Sequence, residues 1–277
     1  MSVAPDESIY VIESSRGTIV HLNANGERLH EYSSRGTGEG RFLAPTDIDA
    51  SSGLFFSVSD AESGKIERFT KEGAFVESLL LPKLSPGEPS RPIISAFRLD
   101  DASSRYGTSE PFRIAETNHN ELVILDRSNA SVLITDRLHE TIRAFDLRPR
   151  SGQVVSNNSR EMVDPVALAV AEDFILVADA GTSQMLLFDP FGTMLDSWAI
   201  ESSDLTSIQV LDSAVWIGYP TKLIRTSMDG VTLAIYHFAA KMDLVDFSVS
   251  SEGGWFLTPT KLTFFSLEEL ARLQSEK

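Results

Sequence analysis

The sequence predicts an all-β protein of the β-propeller class, and three observations predict it. A spacing of apolar residues, acids and turn glycines recurs along the chain at about the length of one propeller blade. The apolar runs are short and bounded by Gly, Ser, Asn and Asp, with no sustained helical period until the C-terminus. The 277 residues, 42% of them hydrophobic, are enough to bury a full core, and there is no cysteine to staple a smaller one. Zero cysteines also excludes disulfides, thiolate chemistry and cysteine-based zinc sites.

The repeat is read from its acids. Asp60, ending "LFFSVSD", is followed by Ile66, Phe69 and Gly73 at six, nine and thirteen residues. Glu13 is followed at the same offsets by Ile19, Leu22 and Gly26, and Asp179 by Met185, Phe188 and Gly192. Asp136, ending "VLITD", is followed by Ile142 and Phe145, with Pro149 in place of the glycine. Glu13 and Asp60 lie 47 residues apart, and Asp136 and Asp179 lie 43 apart. A second register for the third copy satisfies the same offsets with Glu116, Leu122, Leu125 and Asn129, and makes 112–117 a strand.

Each element has a physical job. The apolar run before the acid reads as a strand buried on both faces, as a middle strand of a stacked sheet is. The acid then accepts backbone N–H bonds from the turn after it, so it is a turn cap rather than a catalyst. Ile66 and Phe69 mark the next strand, and Gly73 supplies the positive φ of a tight hairpin. "AFVESLLLP" is the outer strand, and a Gly/Pro-rich link leads to the next blade. The stretch "GTGEGRFLAPTDID" (36–49) superficially suits a phosphate loop. A phosphate loop, however, needs a helix after it. This one runs into Pro45 and an apolar/polar alternation, so it reads as the approach to a strand.

The stretch "GEGRFLAPTDIDASSGLFFSVSDAESGKIERFTKEGAF" resembles an NHL repeat: a glycine-rich lead, Phe, Pro, an apolar strand, a Val-x-Asp turn, an Ile-x-x-Phe strand and a glycine hairpin. The resemblance is strong in 36–80, clear in 8–33, 121–147 and 165–195, and weak after 205. It implies a β-propeller, usually six-bladed, of four-stranded blades around a central channel. Most of the family are binding scaffolds, with some enzymatic relatives and some RNA-binding animal members.

The chain is read as one domain, 1–277, with six blades near 1–34, 35–82, 121–158, 159–201, 205–239 and 244–266; five- and seven-bladed rings stay open. In the fifth copy Gly218 and Tyr219 stand where the acid belongs. The first blade lacks an obvious innermost strand and the last an obvious outermost one. A short C-terminal helix is expected within 266–276, where Ser266 and Glu269 form a capping box and Leu267, Leu270 and Leu273 share a face.

The informative departure is the spacing of 76 residues between Asp60 and Asp136. Its surplus falls in 83–120, a blade-to-blade connection that would emerge at the channel mouth, where binding residues concentrate. Formal charge is −16, from 24 basic and 40 acidic residues, yet 91–160 holds ten arginines against nine acids. Arg98, Arg105, Tyr106, Arg113 and His119, with Arg137 and His139 on the following turn, are therefore the candidate ligand-binding set, suited to a carboxylate, a phosphate or an acidic peptide. The simpler reading is that these arginines pair locally with Asp100, Asp101, Glu110 and Glu140.

Enzyme signatures are thin. The histidines lie far apart without zinc-ligand spacing, and there is no Gly-x-Ser-x-Gly elbow. The sequence thus predicts a non-catalytic binding or scaffolding propeller, acting on a protein, a peptide or a small anionic ligand, with no cofactor. The alternative is a metal-dependent hydrolase or lyase holding calcium or zinc with channel-lining carboxylates. A chain this acidic is expected to repel nucleic acid, and no run of eighteen apolar residues offers a membrane span. A monomer is expected. So is an extracytoplasmic location, periplasmic or secreted, in preference to the cytoplasm, although no leader follows Met1.

Overall fold

A computed structural model of the chain describes residues 1–33, 35–81, 97–98, 109–147, 164–171, 173–201, 204–238 and 242–274. They form two compact units, Ser2–Asp164 and Pro165–Lys277, the latter with Met1.

The first unit holds three antiparallel sheets in chain order. They are β1 (Ser2–Val3), β2 (Ile9–Glu13), β3 (Thr18–Leu22) and β4 (Arg28–Ser33); then β5 (Pro45–Asp49), β6 (Phe55–Asp60), β7 (Lys65–Thr70) and β8 (Phe75–Leu80). The third is β10 (Pro111–Glu116), β11 (Leu122–Asp126), β12 (Ser131–Thr135) and β13 (Thr141–Asp146), with β9 (Phe97–Arg98) added along the outer edge of β13.

The second unit repeats the plan. Its sheets are β14 (Pro165–Ala171), β15 (Phe174–Asp179), β16 (Gln184–Phe188) and β17 (Met194–Ala199); β18 (Ser207–Leu211), β19 (Ala214–Tyr219), β20 (Lys222–Ser227) and β21 (Thr232–His237); and the three-stranded β22 (Asp246–Val249), β23 (Gly253–Leu257) and β24 (Leu262–Ser266). The six sheets are the blades of a six-bladed β-propeller. Helix α1 (Leu267–Leu273) ends the described chain, with the expected capping box at Ser266 and Glu269 and with Leu270 buried. No helix among the described residues is long and apolar enough to cross a membrane.

Burial explains the strand types. The second strands β6, β11, β15 and β19 are buried almost throughout, whereas the outer strand β17 is exposed along most of its length. Cores form between successive blades of a unit. Tyr10, Ile19, Phe42, Phe56 and Phe69 pack between the first and second, and Ile66, Leu79, Ile114, Leu122 and Leu133 between the second and third. Leu176, Met185, Val215 and Ile217 fill the fourth–fifth junction, and Trp216, Tyr236, Phe247, Phe256 and Leu270 the fifth–sixth.

Innermost strands are sheet edges, and an unpaired edge N–H is costly when buried. Side chains of one innermost strand satisfy part of the next. Ser2 Oγ accepts from Ala50 N at 2.9 Å, Asp47 and Asp49 accept from Ile114 N and Glu116 N at 3.0 and 2.9 Å, and Gln209 both donates to the Val249 carbonyl and accepts from Val249 N, at 3.0 and 2.7 Å.

Three sequence expectations are corrected. The acid that ends the second strand of the third blade is Asp126, neither Asp136 nor Glu116. Asp126 faces Ser131 and Pro111 across the sheet as Asp60 faces Lys65 and Pro45. The third blade consequently begins at Pro111 rather than near 121, with a strand where the second register places one (112–117), and the excursion assigned to 83–120 ends before it. Residues 82–96 and 99–108 lie outside the described residues. The terminal blades differ from one another as well, because Ser2–Val3 supplies a short innermost strand to the first, whereas the last has three strands.

The caps themselves are as expected, with a different main client. Asp60 takes the N–H groups of Leu43 and Ala44 at 2.9 and 2.8 Å, from the connection that precedes its blade, and the Ser63 hydroxyl at 2.6 Å from the turn after it. Asp126 does the same work with Ser109, Glu110 and Asn129, and Asp179 caps Gly181 and Thr182. In the fifth blade a side chain at Gly218 would strike Phe247 and Thr206. There Tyr219 takes over, its hydroxyl donating to the Glu201 carbonyl at 2.9 Å, and burial pushes its pKa up to about 12.

Candidate functional site

In an antiparallel sheet whose strands neighbour in chain order, the first–second and third–fourth turns share one end. The second–third turn and the connections between blades share the other. This rule sorts the candidate residues of the third blade. Arg113, early in β10, lies at the connection end; His119, in the first turn, and Arg137 and His139, in the last, lie at the hairpin end. The single patch expected from sequence is therefore split, because it rested on Asp136 closing the second strand. Asp136 instead caps the last hairpin, accepting from Leu138 N and Glu140 N. The backbone of Arg98 lies in β9, opposite Thr141. Arg105 and Tyr106 lie outside the described residues.

At the hairpin end His139 is buried, and the structure joins it to residues the sequence did not single out. Arg68 of β7 is the hub. Its Nε donates to Ser57 Oγ at 3.2 Å, and one terminal nitrogen reaches Glu77 and His139 Nδ1, each at 3.1 Å. The other reaches Glu116 at 3.2 Å and Asn120 Oδ1 at 3.2 Å, and the guanidinium lies over the Phe55 ring. His139 Nε2 is 2.9 Å from the Asn120 carbonyl and so carries the hydrogen there. Its Nδ1, 2.8 Å from Glu77, accepts from Arg68 when the ring is neutral and donates to Glu77 when it is protonated.

These contacts set the electrostatics. The hydrogen bond from His139, with help from Arg68, holds the Glu77 carboxyl below its ordinary 4.5 against the opposing effect of burial. Burial pushes Glu116 the other way, only partly offset by Arg68. With every face of the guanidinium engaged, this cluster clamps the second blade to the third and has little left to offer a ligand. His119 and Arg137 are exposed beside it, and the Arg137 carbonyl accepts from Asn120 Nδ2 at 2.8 Å.

The glycine-rich stretch is structural too. Lys65, buried, donates to the Gly38 carbonyl at 3.0 Å and pairs with buried Glu67, which accepts from Gly40 N at 3.2 Å. A phosphate loop turns its N–H groups toward the anion, whereas here carbonyls face a lysine, the Gly40 N–H faces a carboxylate, and the Gly36 and Arg41 N–H groups donate to backbone carbonyls.

At the connection end the third blade carries a stack that the sequence reading missed. The half-buried Phe112 ring has the guanidinium of Arg113 on it at 4.8 Å and that of Arg127 at 4.8 Å. Arg113 lies 3.8 Å from Asp47, and Arg127 bonds Asp164 at 2.9 Å. The signal was present: once Asp126 is the capping acid, Arg127 falls in the second–third turn, at the end where the long connection arrives. Among the described residues no group of three or more His, Asp or Glu is arranged to hold a metal ion.

No protein-family model matches the chain, and no curated protein matches it in sequence. Solved structures do match in fold. A catalytically inactive virginiamycin B lyase from Staphylococcus aureus, solved with quinupristin, is 14% identical over 96% of this chain and 78% of its own, with a TM-score of 0.62. BBS1N, solved in complex with ARL6DN, is 10% identical over 93% of this chain and 73% of its own, with a TM-score of 0.53. At these identities the likeness shows the fold, a β-propeller.

Proposed function

We propose that this protein is a non-catalytic binding propeller of NHL type, one domain, which recognises a protein, a peptide or a small anionic ligand at the channel mouth on the connection end. The observation that carries the reading is the Arg113–Phe112–Arg127 stack beside the long 81–110 connection. Arginine and aromatic side chains dominate binding hot spots, and a ligand carboxylate here would compete with Asp47 for Arg113 and with Asp164 for Arg127. Arg105 and Tyr106 belong in sequence to the same connection but lie outside the described residues, and Arg98 is not part of this site, because its backbone pairs with Thr141 on the outer edge of the blade, next to the last hairpin.

The metal-dependent hydrolase or lyase has less support. It needs uncommitted carboxylates on innermost strands, and Asp47 and Asp49 are bound to backbone N–H groups of β10.

The test replaces 84–108 with a short Gly-Ser linker, keeping Ser109 and Glu110 because both bond Asp126. The expected product is β-rich, unfolds cooperatively, and no longer captures the partners that the intact protein recovers from its native organism. Undiminished capture by the folded variant would overturn the reading.

A further inference from the structure

We propose that the junction between the fifth and sixth blades carries a second binding site, in which Arg225, Trp216 and Tyr236 receive a single carboxylate borne on an apolar body. The site lies within the Pro165–Lys277 unit, and it stands whether or not the connection end binds anything.

Arg225 holds in the fifth blade the place that Arg68 holds in the second. Arg68 of β7 faces Ser57 on one side and Glu77 on the other, and the register slips directly after it. Arg225 of β20 faces Trp216 and Ala234, with the same slip directly after it. Directly paired residues share one face of a sheet, and here that face packs toward the sixth blade, where Trp216 and Ala234 join Val249 in one core. Val249 stands where Glu116 stands in the third blade. Asp49, opposite Ser57, accepts from Glu116 N, and Gln209, opposite Trp216, accepts from Val249 N. Ser57, Glu77 and Glu116, which all bond Arg68, are thus replaced around Arg225 by Trp216, Ala234 and Val249, all buried. His139 has no counterpart either, because the sixth blade has three strands and no last hairpin.

The arginine is kept although its acceptors are not. Its guanidinium lies over the Trp216 ring at 5.5 Å, its buried Nε has no hydrogen-bond partner, and it makes no ion pair among the described residues. Trp216 stacks in turn on Tyr236, with ring centroids 5.5 Å apart. Neither the indole N–H nor the Tyr236 hydroxyl makes a hydrogen bond among the described residues. Three neighbouring side chains can therefore donate, and the positive charge among them is uncompensated. A guanidinium meets a carboxylate through parallel hydrogen bonds, and apolar walls strengthen the attraction. Asp212, Asp229 and Glu252 lie in turns at the hairpin end of this junction, the end toward which Arg225 sits on β20. They disfavour a ligand of several negative charges. One carboxylate on an apolar body is the chemistry that remains.

The test follows the Trp216 indole N–H signal by NMR, assigned with Trp216→Phe. The intact protein is titrated with phenylpropanoate and with acetylated alanyl-leucyl-phenylalanine, each against its amide. A carboxylate is expected to shift the signal, and its amide to bind about tenfold more weakly. Arg225→Met is expected to weaken carboxylate binding about tenfold and Tyr236→Phe about threefold. Arg225→Met should also keep its urea midpoint, unlike Arg68→Met, because no buried carboxylate loses its cation. Binding of either carboxylate supports the proposal, and the tighter one tells whether the source is a free acid or a peptide C-terminus. No shift with either carboxylate, equal binding of the amides, or full affinity in both Arg225→Met and Tyr236→Phe would each overturn it. So would a loss of stability in Arg225→Met as large as that in Arg68→Met, since Arg225 would then be a packing residue.

Discussion

The junction between the first and second blades and the junction between the second and third solve one packing problem with opposite chemistry. In the former, Tyr32 on the outer strand lies so close to the last hairpin of the next blade that a side-chain carbon at Gly73 would sit 2.0 Å from its ring. The fourth–fifth junction repeats this with Trp198 and Gly230. In the second–third junction the outer strand presents Leu79 and Glu77, and the hairpin position is His139, a non-glycine residue at φ 56°. Its ring takes the place that the Tyr32 and Trp198 rings fill over glycine at the other two junctions, and the polar interlock on Arg68 replaces the aromatic contact. An aromatic junction gains from buried area and tolerates small shifts. A buried polar one gives little net energy when complete and costs much when broken.

The largest expected effect is therefore at the polar junction. Arg68→Met should destabilise by about 3–5 kcal/mol in urea unfolding, because Glu116 is left buried without its cation. A loss within the range of an ordinary surface change would show that the cluster is not a clamp.

Next comes the aromatic junction. Gly73→Ala should cost about 2–4 kcal/mol, from the positive φ and the collision with Tyr32. The same change in a Tyr32→Ala background should cost clearly less, since only the backbone strain remains. Additive effects would mean that the hairpin and the ring do not share the space.

The register of the third blade can be checked with two aspartates. Asp126→Ala should cost about 2 kcal/mol because its removal strands buried donors, and Asp136→Ala about 0.5 kcal/mol because it caps an exposed hairpin. Equal losses would return Asp136 to the anchor position.

The smallest effects concern His139 and acid. At a positive φ, His139→Gly should be less destabilising than His139→Ala by about 1 kcal/mol, the reverse of the order expected in a regular strand. The Glu77 pKa lies below its ordinary 4.5, so its stabilising contribution is full above pH 4.5 and is lost as pH falls through the lowered value. Glu116, with a raised pKa, runs the other way: acidification relieves the cost of its buried charge. Glu77→Gln should accordingly flatten the acid limb of the stability profile, and an unchanged limb would separate Glu77 from the interlock.

Sequence reading recovered the blades wherever an acid, an apolar pair and a hairpin glycine stood together, as at Asp60, Ile66, Phe69 and Gly73. It misplaced the third because β11 and β12, "LVILD" and "SVLIT", are both wholly buried and each is followed or ended by an aspartate. Periodicity cannot rank two such strands, and the glycine that would have ranked them is His139. The cluster around Arg68 was invisible for another reason. Its members are 9 to 71 residues from Arg68, on several strands and turns, and only the packing of one blade on the next brings them together. The Arg113–Phe112–Arg127 stack was lost through the register error alone.

Arg127 and Arg137 make the most direct test of where this propeller binds, since they are arginines of one blade at its opposite ends. A photo-crosslinking residue is placed at one position or the other, and the folded protein is irradiated with extract of its native organism. A binding face at the connection end predicts a discrete adduct from position 127 that the 84–108 replacement abolishes, and none from position 137. An adduct from position 137 alone would contradict the account and move the binding face to the hairpin end.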